Sequence, residues 1–592
     1  MNTSHTWDLS CSPFIESMGT NYAPSPDEIL ELKALLIQPY AELARLESEI
    51  ARALCEKEKI SSFIEAHRAL MSPVRQIPEE VLAEIFLHCL PTDRNFAIRS
   101  LDEAPLLLTT ICRDWRRVAL DTPRLWSTLH VYLPPHLSTQ AISRRAAGIS
   151  TWLGRSGTLP LSISFCAKLS FQEFSDEAPD DQWPPVLTDD VKSLICALTS
   201  FGHRFSDLFL SLPVPHLTLF DECFANCRFS SLHTFHVQDD DFHRYLAGPI
   251  PGGDACLTSL LTKTTALRGL GISDGFRVEG SLALPIDWEL LTDLYLRHHD
   301  NLGLASREVL RIIQRTPNLR NLHARLTISQ EYPVDSAAIL NIMLPRLVNL
   351  RLEFTRTSRT YILESAIVRA QTSSIFRSLS VPSLKMLSIG TPSWDPDTLV
   401  DLTSVYDGSR IPFHNLETLE LALAITSDEM TRCLSSSPEL VSFKFENNPG
   451  IESLCFSESH LSALTPSHAN PIPLCPKLSS IRLFNLSWKT NGIITASSII
   501  NFALARATTL KLLDLFLRDY LSFTEDDLAT LRKLKNDGLN MRLRIGRLFR
   551  PQDSPSFGLL PSEPLLTADR NQISSDNVDM HFIIDGRTEI IV

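Results

Sequence analysis

Residues 416–446 read LETLELALAITSDEMTRCLSSSPELVSFKFE, one structural unit and the start of the next. Leu416, Leu419 and Leu421 follow the spacing L-x-x-L-x-L. Its last two apolar positions lie two apart and so share one face of a short strand. A helical run follows from Asp428 to Leu434. Ser437-Pro438-Glu439 then forms a turn, because proline fixes its own backbone and stops a helix. Leu440-x-x-Phe443-x-Phe445 restores the strand spacing. The unit is helix, turn, strand.

The spacing recurs outward in both directions. Upstream lie Leu232-x-x-Phe235-x-Val237, Leu267-x-x-Leu270-x-Ile272, Leu291-x-x-Leu294-x-Leu296, Leu347-x-x-Leu350-x-Leu352 and Leu384-x-x-Leu387-x-Ile389. Downstream lie Leu478-x-x-Ile481-x-Leu483 and Leu510-x-x-Leu513-x-Leu515. Phe205-x-x-Leu208-x-Leu210 is an early copy, Leu319-x-x-Leu322 a partial one, and Leu161, Ile163 and Phe165 form a first strand. Several copies follow a proline turn, as at Pro317, Pro345, Pro382 and Pro476. The interval is 24 positions from Leu267 to Leu291 and 38 from Leu440 to Leu478, so some units carry insertions.

This pattern resembles irregular leucine-rich repeats. The resemblance implies an α/β chain whose units stack into a curved solenoid with a parallel sheet on its concave side. The residue between the last two apolar positions of each strand then points to the concave face. Those residues are His236, Tyr295, Arg351, Ser388, Glu420, Lys444, Arg482 and Asp514, with Arg297, Glu353 and Phe484 two positions further on. A face of mixed sign with aromatics suits a polypeptide better than a polyanion. Tyr295, Arg297, Arg351, Glu353, Glu420, Lys444, Arg482 and Asp514 are the candidates for holding a target.

Ahead of the array, residues 71–134 carry two wide apolar stripes. Pro78 opens a helix with Val81, Leu82, Ile85, Phe86, Cys89 and Leu90 on one side, and Pro91 ends it. Residues 92–103 are mostly polar and read as a loop. A second helix carries Leu107, Leu108, Ile111, Cys112, Trp115, Val118 and Ala119, and Pro123 restarts a short turn before Leu125-Trp126. Short helices over about sixty residues cannot bury stripes this wide among themselves. The spacing alone leaves open whether the array or another protein covers them.

The run Ile77-Pro78-x-Glu80-Val81-Leu82-x-x-Ile85-Phe86, then Ile111-Cys112-Arg113-x-Trp115-Arg116-x-Val118-Ala119, then Pro123-x-Leu125-Trp126, resembles an F-box. It is similar to the F-box-like proteins of fungi, although it starts Ile-Pro where the family has Leu-Pro. The resemblance implies a three-helix box that binds the Skp adaptor, which bridges to a cullin scaffold and its ubiquitin-transfer machinery. It implies Ile77, Pro78, Val81, Leu82, Ile85 and Phe86 at or behind the adaptor surface, and Ile111, Cys112, Trp115, Leu125 and Trp126 in the box core. The spacing Trp126-x-x-Leu129-x-Val131 already matches a repeat strand, so the box should run into the array without a linker.

Residues 25–70 precede the box. Ser25-Pro26-Asp27-Glu28 is a helix start, with Ser25 as cap and Glu28 placed to close a capping box. Ile29, Leu32, Leu36, Leu43, Leu46, Ile50, Ala53, Ile60 and Ile64 then form a heptad seam, interrupted by Pro39 and Lys57. Pro39 should kink or split the helix. The seam fits either packing on its own chain or self-association.

The totals agree. At 592 residues with 44% hydrophobic and 21% charged content, the chain reads as folded and larger than one ordinary core. A net charge of −14 argues against nucleic acid, whose phosphates need clustered Lys and Arg. Scattered cysteines inside apolar runs read as reduced and buried, and the N-terminus carries neither basic nor apolar signal regions. No apolar run is long enough to span a membrane, which points to the cytoplasm or nucleus. No phosphate loop, nucleophile elbow, H-E-x-x-H or complete G-x-G-x-x-G is present. Cys223, Cys227, His233 and His236 are spaced too tightly for a zinc finger, and His298-His299 has no nucleophile in view.

The expected organisation is a disordered stretch 1–24, a heptad helix 25–70, an F-box 71–134, a solenoid 135–548 and a loose tail 549–592. The expected function is a non-catalytic substrate receptor of a Skp–cullin–F-box ubiquitin ligase, with an unidentified protein target and no cofactor or metal. The alternative is an F-box/repeat scaffold acting outside ubiquitin ligation and self-associating through the heptad helix.

Overall fold

The computed structural model of the chain describes residues 9–91, 96–133, 138–167, 188–238, 253–273, 283–297, 304–328, 341–356, 365–390, 411–423, 425–446, 456–468, 471–486, 494–517 and 524–545. The expected tail at 549–592 lies outside them. The chain divides into two compact units, Met1–Glu84 and Ile85–Val592.

The first unit is dominated by α1 (Pro26–Leu70), 45 residues long. The expected capping box is present: the Glu28 amide donates to Ser25 Oγ at 3.4 Å and the Ser25 amide to Glu28 Oε2 at 2.7 Å. Pro39 does not split the helix. A proline removes one intrahelical hydrogen bond, and long helical flanks carry the chain through that loss. No residue of α1 is buried.

The second unit is built on strands β1 (Thr128–Leu133), β2 (Leu161–Ala167), β3 (Phe205–Ser211), β4 (Thr234–Gln238), β5 (Gly269–Ser273), β6 (Asp293–Arg297), β7 (Leu304–Ala305), β8 (Asn321–Ile328), β9 (Ile342–Met343), β10 (Asn349–Arg356), β11 (Leu379–Ser380), β12 (Met386–Gly390), β13 (Thr418–Ala422), β14 (Ser442–Glu446), β15 (Ser480–Leu486), β16 (Leu512–Leu517) and β17 (Asn540–Ile545). Fifteen of them form one sheet in the order β1-β2-β3-β4-β5-β6-β8-β10-β12-β13-β14-β15-β16-β17, with β7 added beside β8; β9 and β11 pair separately. The paired strands run parallel, and along the main path each joins the next main-path strand of the chain. That is the topology of a solenoid. The strand expected at Leu129 and Val131 is the first of the sheet, paired with β2.

The repeat spacing sets the core. Leu416, Leu419, Leu440, Phe443 and Phe445 are fully buried, and Leu421 is 1% exposed. Opposite the sheet lie helices: Leu461, Ile499 and Phe502 line one small cavity together with Ile481, Leu483, Leu513 and Leu515 of β15 and β16. The partial copy at Leu319 is a full member of the sheet, with Ala324 in its third apolar place.

Neighbouring units are tied by side chains that reach backbone carbonyls. Arg204 donates to Leu159 O at 2.6 Å through Nη2 and at 2.9 Å through Nε. Arg506, 2% exposed, donates to Leu464 O at 2.6 Å, Leu474 O at 3.0 Å, Cys475 O at 3.1 Å and Leu478 O at 3.3 Å. Two buried thiols act alike: Cys256 Sγ donates to Leu217 O at 3.4 Å and Cys475 Sγ to Leu434 O at 3.3 Å. Burial pushes both thiols up to about 12, which keeps them protonated donors.

His216, in the helix Val214–Cys223, is 2% exposed and its Nδ1 has no partner. Burial pushes its pKa down to about 4. Unfolded, the imidazole titrates near 6.5. The unfolded chain therefore binds a proton between about pH 6.5 and 4 that the folded chain refuses, so stability falls as pH drops through that window. The expected loss from this one group is about 2 kcal/mol at pH 5 relative to pH 7. Denaturant titrations of the chain and of His216→Phe at both pH values check this; an equal pH dependence in the two would contradict it.

Candidate protein-docking surfaces

In the box region, α2 spans Glu79–His88. Its apolar residues divide by face. Leu82 is 6% exposed and Phe86 fully buried, whereas Val81 is 50% and Ile85 41% exposed. Val81 and Ile85 are four residues apart and so lie one above the other on the helix surface. Ile77 is half-buried and Pro78 exposed. Of the six expected adaptor residues, Leu82 and Phe86 are thus turned inward.

The second helix departs from the expectation. It is two helices, α3 (Leu108–Ile111) and α4 (Arg113–Leu120), broken at Cys112. Cys112 is extended (φ −156°, ψ 173°), and its Sγ accepts from the Trp115 amide at 3.5 Å, capping α4. Ile111 is 55% exposed and Cys112 is exposed, so neither is a core residue as the motif implied. The break ends the stripe: a cap is non-helical and half outside its helix. Trp115 is half-buried with its ring 4.9 Å from that of Phe86, while Leu125 and Trp126 are fully buried. The insert at 92–103 is not merely a polar loop. Residues 92–95 lie outside the described structure, but Phe96, Ala97 and Ile98 are buried and Ala97 O accepts from the His130 amide at 2.8 Å. This segment covers the free edge of β1.

The sheet face opposite the leucine core carries one continuous row. His130, Ser164, Phe209, His236, Gly271, Tyr295, His323, Arg351, Ser388, Glu420, Lys444, Arg482, Asp514 and Arg542 are register partners from β1 to β17. Tyr295, Arg351, Glu420, Lys444, Arg482 and Asp514 therefore stand in one line, with Arg297 and Glu353 two positions further along their strands. The side chain of Arg297 lies outside the described residues.

The row changes character along its length. From β8 to β16 it is mostly charged and largely buried, with Arg351 7%, Glu353 6%, Glu420 6%, Lys444 4% and Asp514 5% exposed, while Arg542 at the end of the row is exposed. His323 Nε2 lies 2.9 Å from Glu353 Oε1, and Arg325 bonds Glu353 Oε2 through Nε at 2.9 Å and Nη2 at 2.7 Å. Arg351 pairs with Glu420 and donates to Ser388 Oγ at 3.1 Å. Lys444 lies 5.3 Å over the Phe484 ring. Burial lowers its pKa against the pull of Glu420 and Glu446. These charges hold neighbouring repeats together, and of the six row candidates only Tyr295 and Arg482 are not buried. The sequence places them on the face but does not register their burial.

From β3 to β6 the row is aromatic and half-buried. Phe209 stacks on His236 at 4.3 Å, His236 lies 5.6 Å from Tyr295, and Tyr295 meets His323 edge-on at 4.2 Å. Gly271 makes this possible: a Cβ there would sit 2.1 Å from His236 Nδ1. Burial pushes the His236 pKa down to about 4, so it is a neutral ring at pH 7. Alongside run two carboxylates. Asp207 accepts from Ser162 Oγ at 2.7 Å and Ser206 Oγ at 2.8 Å; Asp293 accepts from Thr292 Oγ1 at 2.6 Å and from Asn321 Nδ2. Phe209, Asp207 and Asp293 were missed as site residues, yet the rule that picks out Tyr295 applies equally to Phe209 in the early copy at Phe205.

Among the described residues, no group of three or more His, Cys, Asp or Glu side chains is placed to hold a metal ion. No described helix is long and apolar enough to cross a membrane.

No protein-family model matches the chain. No curated protein matches it. Among solved structures, the crystal structure of the Rad7 and Elc1 complex in yeast is similar over 75% of this chain and 98% of that one, at 14% sequence identity and a TM-score of 0.30. That likeness is too distant to bear on function.

Proposed function

We propose that the chain is a non-catalytic substrate-recognition subunit of a Skp–cullin–F-box type ubiquitin ligase, acting in the cytoplasm or nucleus. The observation that carries this is α2: within a sequence that resembles an F-box, Leu82 and Phe86 are buried while Val81 and Ile85 stay exposed on the same helix. An apolar helix face with anchors one turn apart is what a partner's groove takes up. The adaptor would cover Val81 and Ile85, and a protein target would lie on the sheet face. Its half-buried aromatic part is the strip of His236 and Tyr295 beside Asp207 and Asp293, next to Phe209, on which Phe96 packs at 4.9 Å; these rings and carboxylates suit a segment bearing Lys or Arg. Holding target and ligase in one particle speeds transfer by raising the effective concentration of the reacting groups.

The test is co-purification of the full chain with a Skp-type adaptor and its cullin, with and without Val81→Asp and Ile85→Asp together. The double variant is expected to weaken adaptor binding at least about 100-fold, because each apolar contact is lost and a carboxylate must be desolvated. Both positions are exposed, so the fold, followed by circular dichroism, should not change. Failure of the unaltered chain to bind, or full binding by the double variant, would refute the proposal. Adaptor recovered without cullin would favour a scaffold outside ubiquitin ligation.

A further inference from the structure

We infer that Cys196 and Cys223 are a redox-modification site: a hydroperoxide closes them into a disulfide between two neighbouring repeats, and small thiols reopen it. The inference stands on this pair alone and is independent of adaptor docking. Cys196 lies in the helix Thr188–Thr199, between β2 and β3, and Cys223 ends the helix Val214–Cys223, between β3 and β4. The two helices pack side by side. Val191, Leu194, Ile195 and Leu198 of the first and Leu217 and Phe220 of the second are buried, which anchors both helices. The two sulfurs meet 3.9 Å apart, with Cys196 exposed and Cys223 half-buried. Cys256 and Cys475, by contrast, are buried and bond to carbonyls.

A disulfide brings its sulfurs to about 2.0 Å. Cys223 is the last helical residue, and Phe224 after it has left helical geometry (φ −99°, ψ 18°), so rotation of the two side chains and a small adjustment of that helix end close the gap. Access and environment divide the roles. Burial and the contact with Cys196 hold the Cys223 thiol above its usual range, so it waits protonated. The exposed Cys196 meets the oxidant first. Its proton passes to solvent, its sulfur attacks one peroxide oxygen, and the O–O bond breaks; the departing hydroxide takes up a proton and leaves as water. Cys196 is then a sulfenic acid. The Cys223 sulfur attacks the Cys196 sulfur, the S–S bond forms and the S–O bond breaks, and the hydroxide leaves with the Cys223 proton as a second water. Two thiols have lost two electrons and the peroxide has gained them. In reducing surroundings such a bond is transient and reports on oxidant. The link spans 27 positions of chain and encloses β3, the strand that carries Asp207 and Phe209. A cross-link acts chiefly by restricting the opened chain, so the oxidised repeats should open locally less often than the reduced ones.

The test treats the full chain with hydrogen peroxide, blocks remaining thiols with N-ethylmaleimide and digests with trypsin without reductant. Cleavage after Lys192, Arg204 and Arg228 puts Cys196 and Cys223 on separate peptides, 193–204 and 205–228. Mass spectrometry should find the two joined, lighter by two hydrogens than their sum, and dithiothreitol should part them. Cys227 shares the second peptide, so Cys227→Ser should keep the joined species, while Cys196→Ser and Cys223→Ser should each abolish it. Recovery of both cysteines as blocked thiols, Cys196 carried on to a sulfinic acid with no joined peptide, or Cys196 joined to Cys227 would each overturn the inference. So would a joined peptide that forms as readily in urea-unfolded chain, because the fold would then contribute nothing to the pairing.

Discussion

The Arg506→Leu variant is expected to lose about 3–5 kcal/mol of stability, concentrated in the C-terminal repeats. Arg506 ends the helix Ala496–Ala505, and its guanidinium reaches back to carbonyls of Leu464, Leu474, Cys475 and Leu478. Those acceptors end one helix and form the turn that leads into β15. Leucine fills part of the volume but donates nothing, so buried carbonyls lose their partner and each lost partner costs about 1–3 kcal/mol. Arg506→Lys keeps a charge but not the planar fork, and should fall between the two. The repeats need not unfold as one unit. The measurement is therefore limited proteolysis across residues 456–545 together with a denaturant curve. Unchanged cleavage and an unchanged midpoint would mean that Arg506 is not the tie described here.

Trp126→Ala is expected to cost about 3–5 kcal/mol. The indole is fully buried, its Nε1 donates to Ala119 O at 2.8 Å, and its ring meets Trp152 edge-on at 4.8 Å. The Arg155 guanidinium lies 4.5 Å over the same ring. One side chain thus joins the end of α4 to the helix Thr139–Arg155 that backs the first strands. Alanine would leave a cavity and an orphaned carbonyl together. Trp126→Phe should cost less, since it restores much of the area and forfeits the hydrogen bond. A thermal melt of the three chains orders these effects, and an alanine variant as stable as the phenylalanine one would count against the argument.

The repeat core was legible because its signal is periodic. Leucines spaced three and two apart can satisfy only a strand buried on one face, and β12 to β16 fall on those positions. The partial copy at Leu319 was weak on paper because alanine stands third, where Ala324 is small and fully buried. What stayed hidden depends on distance along the chain. Arg506 looks like any surface arginine until acceptors 28 to 42 residues earlier come beneath it. Spacing assigned Arg351, Glu353 and Glu420 to a face but carried no information on what buries it. In the box, apolar letters at Leu108, Ile111 and Cys112 mimic one helix, and only the extended backbone at Cys112 ends it. Phe96-Ala97-Ile98 is too short to register as an element, and it takes its structure from the edge of β1.

The strand order has a consequence for synthesis. Along the main sheet each strand docks on the one before it, so the surface a new repeat needs has already left the ribosome. At about 5–20 residues per second, a unit of 24 to 38 residues emerges every few seconds. Helices and local pairings form in microseconds. The growing sheet can therefore be laid down course by course at the pace of translation, with the Phe96–Ile98 segment emerging before the first strand whose edge it covers.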